Sequence, residues 1–455
     1  MTLTDSIFET LQTRIQSGSL KLGEKLPSIR KAALEFSVSK NTVVEAYDRL
    51  LAAGLITSRQ GYGFTVIDAF RPAPSARLKH VTEAVDVVSL LSAQLEESFS
   101  IRVGDGRPPP TWTEQSEVRR YLNRAQKFGS MDRDGYGSAA GLPALRERLA
   151  AEIAQRDIAV HPDQILLTFG ANNALDLIIR HYLAPGDTVL VDEPGYYPLF
   201  AKLKLARANI VGVRRLPAGP DMEDLERIVR QHNPRLFFTQ SMGHNPTGGY
   251  TNLPTAHALL KIASRHNFMV VEDEPFSDLP GIQGTGLMPL DQLDNVIHVG
   301  TFSKTLSASL RCGFIAARPD IINDLAQLKM LTSVNSSGHI EHLVHGLMAE
   351  GHYARHLKRL SQRIARATEK VMTDLNRLGL KTYCLPSGGY YLYLTLPDHV
   401  TDIELAKAGA RQDILIAPGS IFCPDNSAGP NGIRVNIARA DSPKFYEFLQ
   451  KALSD

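Results

Sequence analysis

The stretch from Gly300 to Phe314, GTFSKTLSASLRCGF, holds one lysine, Lys304, among five hydroxyl residues, Thr301, Ser303, Thr305, Ser307 and Ser309. Arg311 lies seven residues beyond the lysine. An apolar run, Val296-Ile297-His298-Val299, leads into the stretch, and Phe314-Ile315-Ala316-Ala317 leads out of it. Runs this short and apolar read as buried strands, so the lysine falls in a loop at a strand end. A lysine so placed suits Schiff-base chemistry once desolvated, and the hydroxyls with Arg311 suit a phosphate. A solvated loop with a surface lysine fits the same fifteen residues, and the flanking sequence has to arbitrate.

Further apolar runs recur upstream at Ile165 to Phe169, Thr188 to Val191, Ile210 to Val213, Leu236 to Thr239 and Phe268 to Val271. Helical windows separate most of them, which predicts a largely parallel sheet covered on both faces. Helical patterns continue from Pro319 to about Leu380, and a smaller α+β unit follows, with strands near Tyr390 to Leu394 and Ile433 to Ile437. Four of the runs end in distinctive residues. Gly170-Ala171-Asn172 opens a helix after the first and lets backbone N–H groups approach a phosphate. Asp192-Glu193-Pro194-Gly195-Tyr196 presents an aromatic that can stack on a planar ring, although a core tyrosine reads the same way. His244-Asn245-Pro246-Thr247-Gly248 offers an amide donor in a fixed turn. Glu272-Asp273-Glu274-Pro275-Phe276 ends its strand in acids, one of which can pair with a protonated ring nitrogen.

In this order and spacing the motifs closely resemble the fold type I pyridoxal-phosphate aminotransferases from about Gly104 to the C-terminus. The resemblance implies a large α/β fold type I domain with a smaller C-terminal α+β subdomain, and pyridoxal 5'-phosphate as cofactor. It makes Lys304 the Schiff-base lysine, Asp273 the ring-nitrogen partner and Tyr196 the stacking aromatic, together the catalytic set. Asn245 corresponds to the donor to the ring's 3'-oxygen. Gly170, Ala171, Asn172, Thr301, Ser303 and Arg311 correspond to the phosphate cup. Tyr136, in GYGSAAGLPALRERLA, corresponds to a tyrosine that reaches the cofactor of the other subunit. Arg434, in GIRVNIAR, corresponds to the arginine that clamps a substrate carboxylate, a task guanidinium geometry suits. Phe276 departs from the pattern. Relatives usually carry a tyrosine there, and losing its hydroxyl is expected to raise the pKa of the aldimine at Lys304 and to weaken turnover.

The first 67 residues read differently. A helix with Ile7, Phe8, Leu11 and Ile15 on one face is followed by a second that starts at Leu26-Pro27-Ser28. Ser39 can cap a third, with Val43, Ala46, Tyr47, Leu50 and Leu51 facing inward and Lys40, Asn41 and Thr42 outward. Leu55-Ile56-Thr57 pairs with Phe64-Thr65-Val66 around Gly61-Tyr62-Gly63. Three helices and a hairpin predict a winged helix-turn-helix, an α+β unit whose third helix enters the major groove. Eight Lys/Arg against six Asp/Glu in this segment would not by themselves indicate DNA. The motifs LPSIR, VSKNTV and the glycine wing resemble the GntR-type domain. That resemblance puts Arg30, Ser39, Lys40, Thr42 and Gly61 at double-stranded DNA. Val44 stands where many relatives have a second arginine. Residues 68–88 read as a linker and residues 89–455 as the second domain.

The totals agree with this division. A chain of 455 residues exceeds one ordinary core, and 43% hydrophobic with 22% charged residues describes a soluble globular protein. No long apolar run or secretory leader is evident. Three separated cysteines, Cys312, Cys384 and Cys423, exclude a disulfide framework and a metal knuckle and fit a reducing cytoplasm. End to end, the chain resembles the MocR-type bacterial regulators. That implies a homodimeric transcription factor sensing an amino compound, or the cofactor itself, through an internal aldimine at Lys304. An active aminotransferase carrying a DNA-binding domain is the alternative.

Overall fold

The computed structural model describes residues 3–16, 19–20, 23–59, 63–66, 99–113, 118–120, 135–425 and 429–453. The chain divides into two compact units, Met1–Leu78 and Lys79–Asp455. The sequence-predicted linker 68–88 and the wing residue Gly61 lie outside the described residues.

In the first unit, helices α1 (Leu3–Gln16), α2 (Ile29–Glu35) and α3 (Lys40–Ala52) precede the strands β1 (Ile56–Arg59) and β2 (Gly63–Val66). Ser28 caps α2 and Ser39 caps α3, where the Ser39 Oγ accepts from the Thr42 N–H at 3.2 Å. These hydroxyls answer backbone donors that a helix cannot satisfy internally. Ile7, Leu11, Ala32, Val43, Ala46 and Leu50 close a small core. Tyr47 is buried with them, and its hydroxyl donates to the Pro27 carbonyl at 2.9 Å, tying α3 to the start of α2. The strands pair antiparallel with Ile56 opposite Val66. This is the predicted winged helix, and its third helix leaves Lys40 and Asn41 exposed at the first turn.

The second unit is built on an eight-stranded sheet. Its strands are β3 (Ile165–Thr168), β4 (Thr188–Glu193), β5 (Asn209–Leu216), β6 (Gly219–Pro220), β7 (Pro234–Thr239), β8 (Met269–Glu274), β9 (Val296–Thr301) and β10 (Gly313–Ala316). Their order is β3-β10-β9-β8-β7-β4-β5-β6. The pairs from β9 through β8, β7 and β4 to β5 are parallel, while β10 runs antiparallel to both β9 and β3. The sheet is therefore mixed. The reversal has a local cause: the chain between β9 and β10 is the Lys304 loop, which carries no crossover helix long enough to return for a parallel strand. Because β10 opposes both neighbours, the carboxyl ends of β3, β4, β7, β8 and β9 all open at one edge, where ligand sites of such sheets form. β3, β7, β8 and β9 are buried along most of their length, as continuous apolar runs in a covered sheet require.

A 26-residue helix, His352–Arg377, leads to the smaller sheet, in which β13 (Gly432–Asn436) lies between β11 (Tyr391–Thr395) and β12 (Ala417–Pro418). Among the described residues no helix is long and apolar enough to cross a membrane. We expect Ser39→Ala to destabilise the first unit by about 1 kcal/mol through loss of the α3 cap. Ser39→Asp, which can also cap, should retain that stability, and thermal unfolding of the two variants checks both.

Candidate functional site

The loop residues that are far apart in sequence meet at the sheet's carboxyl edge. Lys304, in the β9–β10 loop, is partly buried, and its Nζ donates to the Gly106 carbonyl at 2.6 Å. The Tyr391 hydroxyl of β11 donates to the same oxygen at 2.8 Å. The Tyr390 hydroxyl donates to the Lys304 carbonyl at 2.9 Å, so the small sheet grips the lysine loop directly.

Asp273 ends β8 and is buried. Its Oδ2 accepts from Gln240 Nε2 at 2.9 Å, and its Oδ1 has no partner among the described residues. Burial pushes its carboxyl up to about 6, against the opposing pull of the Gln240 hydrogen bond, Lys304 and His298. Tyr196 precedes the helix Tyr197–Leu205, and burial, then the Asp273 carboxylate, hold its phenol above the ordinary value. Both side chains line one small cavity with Gln240 and His244. Phe276 is fully buried, edge-on to Tyr390 at 5.3 Å and Tyr391 at 5.6 Å. The departure seen in sequence is thus a packed aromatic, and the nearby Tyr391 hydroxyl is already committed to Gly106.

Arg434, on β13, is almost completely buried, yet no carboxylate among the described residues pairs with it. Its Nη1 donates to the Asn245 side-chain oxygen at 3.0 Å and its Nη2 to the Gly104 carbonyl at 2.6 Å, while Nε has no partner. The guanidinium stacks over Tyr391 and Phe422 at 5.2 and 5.0 Å from the ring centroids. A guanidinium can only donate, so the Asn245 oxygen must face it, and the Asn245 NH2 is the group left to donate elsewhere. Gly106 passes so close that a Cβ there would sit 3.2 Å from Arg434 Nη2.

At the end of β3, Gly170 has φ of +86°, a conformation glycine adopts without penalty, and it precedes the helix Ala171–Tyr182. No side chain caps that helix, so Ala171 and Asn172 begin it without a capping oxygen. Arg311 reaches across to the Phe169 carbonyl at 3.0 Å and to Ser303 Oγ at 3.4 Å, and the Thr301 hydroxyl lies 3.2 Å from Ser303 Oγ. A helix N-terminus, two hydroxyls and a guanidinium in one place form a cup suited to a dianion. Tyr136 stands apart from this group and is 89% exposed.

Several supporting contacts carried no sequence signal. Arg215 and Asp192 form a buried ion pair at 3.1 Å. Burial alone would raise Asp192, but Arg215 and then His244 hold it below the usual carboxylate range. Burial and Arg215 push His244 down to about 4, so it is neutral near pH 7. Gln240 hydrogen-bonds Asp273 on one side and the Asn245 N–H, at 2.8 Å, on the other. Only tertiary folding brings β4, β5, β7 and β8 close enough to reveal these contacts. No group of residues that could hold a metal ion occurs among those described.

Asp273 carries a stability cost with a defined sign. Its folded pKa lies above the unfolded value, so the folded state binds the proton more tightly and loses stability as pH rises from about 4 to about 6. Asp273→Asn should therefore stabilise the cofactor-free protein by on the order of 2 kcal/mol above about pH 6.5, with little effect near pH 4. Urea unfolding across that range measures the difference.

Residues 104–451 match the family described as aminotransferase class I and II, and residues 3–66 match the bacterial regulatory proteins of the gntR family. The chain is 30% identical to the probable rhizopine catabolism regulatory protein MocR of Rhizobium meliloti over 90% of its length and 85% of that protein's. It is 28% identical to the HTH-type transcriptional regulator YjiR of Escherichia coli over 99% and 98% of the two chains. Among solved structures, the α-aminoadipate aminotransferase LysN of Thermus thermophilus superposes with a TM-score of 0.74 at 25% identity, covering 82% of this chain and 96% of that one. The chain accordingly belongs to the MocR-type transcriptional regulators, in which a GntR-family winged helix is joined to a class I and II aminotransferase body.

Proposed function

We propose that the second unit binds pyridoxal 5'-phosphate at Lys304 and uses it to sense an amino compound bearing a carboxylate, and that the winged helix converts this into altered DNA binding. One observation carries the reading: two buried charged side chains, Asp273 and Arg434, linked through Gln240 and Asn245, have no ion-pair partner among the described residues. Unpaired buried charge is costly, and it is retained where a ligand completes it. The residues fit the cofactor group by group. Asp273 Oδ1 can hold a proton at a ring nitrogen, and Asn245 NH2 can donate to a ring oxygen. Tyr196 can cover a ring face. Gly170, Ala171 and Asn172 can receive a phosphate with Thr301, Ser303 and Arg311.

When bound, the cofactor supplies an aldehyde that condenses reversibly with primary amines. Lys304 would offer its side-chain amine to that aldehyde, and the Gly106 carbonyl is the acceptor that holds its Nζ in this structure. Arg434 orients the ligand by receiving its carboxylate, using the Nε that has no present partner. Tyr136, which is exposed, is suited to complete the site of a second copy, which makes a homodimer the expected assembly. On the DNA side, Lys40 and Arg30 neutralise phosphates or reach base edges, and Ser39 and Thr42 offer hydroxyls to the backbone. The ligand shifts DNA affinity only as far as it binds one state better, typically ~1–3 kcal/mol.

A working aminotransferase is the second reading, favoured by the meeting of Lys304, Asp273, Tyr196 and Arg434 at one edge. Phe276 speaks for the sensor, since it gives the ring oxygen no hydroxyl donor.

Absorbance between ~330 and 430 nm on adding pyridoxal phosphate should show a band lost in Lys304→Ala. An amino acid from a panel should shift the band stoichiometrically and change affinity for the protein's own upstream DNA. Arg434→Ala should weaken that amine by roughly 30-fold or more. Lys40→Ala should weaken DNA binding and lower its salt slope by about one. Sustained conversion of the amine with a keto acid, without an effect on DNA, would reverse the assignment in favour of an enzyme.

A further inference from the structure

We infer that Gln240 is a positioning residue that fixes the direction of Asp273 and of the Asn245 turn at once while leaving the aspartate's charge free for a ligand. The inference rests on the proposed pairing of Asp273 with a cofactor ring nitrogen. Gln240 is 5% exposed and lies immediately after β7. Its Oε1 accepts from the Asn245 N–H at 2.8 Å, and its Nε2 donates to Asp273 Oδ2 at 2.9 Å. The backbone N–H can only donate, so the amide cannot be the other way round, and its NH2 must face the aspartate. One planar group thereby sets the distance between a residue of β8 and a residue of the turn after β7.

The anchor for Gln240 lies one layer deeper. Its own backbone N–H points to Asp192 Oδ2 at 3.4 Å, and the same oxygen accepts from Thr239 Oγ1 at 2.8 Å and Arg215 Nη1 at 3.1 Å. Arg215 is fully buried and further tied to Thr251 at 3.2 Å. A chain of contacts therefore runs from the buried Arg215–Asp192 pair through Gln240 to Asp273. The member that touches Asp273, Gln240, is neutral. An arginine or lysine at position 240 would neutralise Asp273 and compete with a cationic ring, whereas an amide stabilises the carboxylate without cancelling it. Oδ1 keeps its full acceptor capacity and is the oxygen that has no partner.

Asp273 titrates among several groups, none of which shares a hydrogen bond with the Gln240 side chain among the described residues. Lys304 and His298 favour its ionised form, and Tyr196 lines the same cavity. Glu274 and Glu272, on the same strand, are buried, with Glu274 raised well above its usual range by burial and by Glu272. Of these groups, Asp273 is the one the Gln240 NH2 donates to, so removing that donor acts on it directly.

The test measures the affinity of pyridoxamine 5'-phosphate, which cannot condense with Lys304, between about pH 5 and 8.5 by quenching of intrinsic fluorescence. The full-length wild type, Gln240→Met, Gln240→His and Asp273→Asn are compared, with thermal unfolding of each as the folding control. In the wild type, binding should weaken as the pH falls through the Asp273 transition. In Gln240→Met that limb should move up by about one pH unit, with a roughly tenfold loss of affinity where the two profiles are furthest apart. Gln240→His, which keeps an N–H donor and serves if the methionine variant does not fold, should hold the limb near its wild-type position. A Gln240→Met profile that superimposes on the wild type, or a lowered unfolding temperature with an unmoved limb, overturns the inference while sparing the cofactor reading. Undiminished binding by Asp273→Asn overturns both.

Discussion

A carboxylate at the end of a buried strand, with one oxygen held by an amide and the other without a partner, sets the terms for its surroundings. Asp273 is expensive to keep ionised where it sits, and burial pushes it up to about 6. Three of the groups that face it tolerate the charge without discharging it: a neutral glutamine, a phenol held neutral and a lysine occupied with a backbone carbonyl. Such a group stabilises no fold. Groups perturbed in this way cluster at functional sites.

The same logic explains the smaller sheet. Arg434 projects from β13 into the crevice and spends two of its nitrogens on neutral acceptors, Asn245 and Gly104. Segment 103–107, against which it rests, is otherwise pinned by Asn436, whose amide donates to the Asp105 and Arg107 carbonyls at 2.8 and 3.0 Å. Gly104 and Gly106 therefore present their carbonyls to Arg434 and Lys304 from a fixed backbone. Two cations from different parts of the chain are held by one short segment, and neither forms an ion pair with an acid among the described residues. A buried cation satisfied only by dipoles retains most of its attraction for a carboxylate.

The winged helix follows simpler rules. The starts of α2 and α3 are written by serines, and its core is a handful of aliphatic residues around Tyr47. The cap at Ser39 has a second effect, because Ser39 Oγ also lies 2.8 Å from Thr42 Oγ1. The first turn of α3 is thus ordered before anything touches it, and Lys40 is presented on a rigid base. Preorganisation of this kind lowers the entropy lost on binding.

What the sequence determined by itself was local and periodic. The β-strand runs, the serine caps, the glycine at the head of Ala171–Tyr182 and the lysine loop were all legible, because strand and helix periods and capping chemistry act over a few residues. The motif residues Asp273, Asn245, Tyr196 and Lys304 were legible through their order along the chain. The tertiary structure alone decided which groups touch. It turned β10 against its neighbours and left Arg434 without an acid. It also placed Phe276 against two tyrosines and joined Arg215, Asp192 and Gln240, which lie on separate strands and loops. None of these leaves a period or a spacing in the sequence, since contacts between strands depend on sheet order, and sheet order is set by the packing of the whole unit.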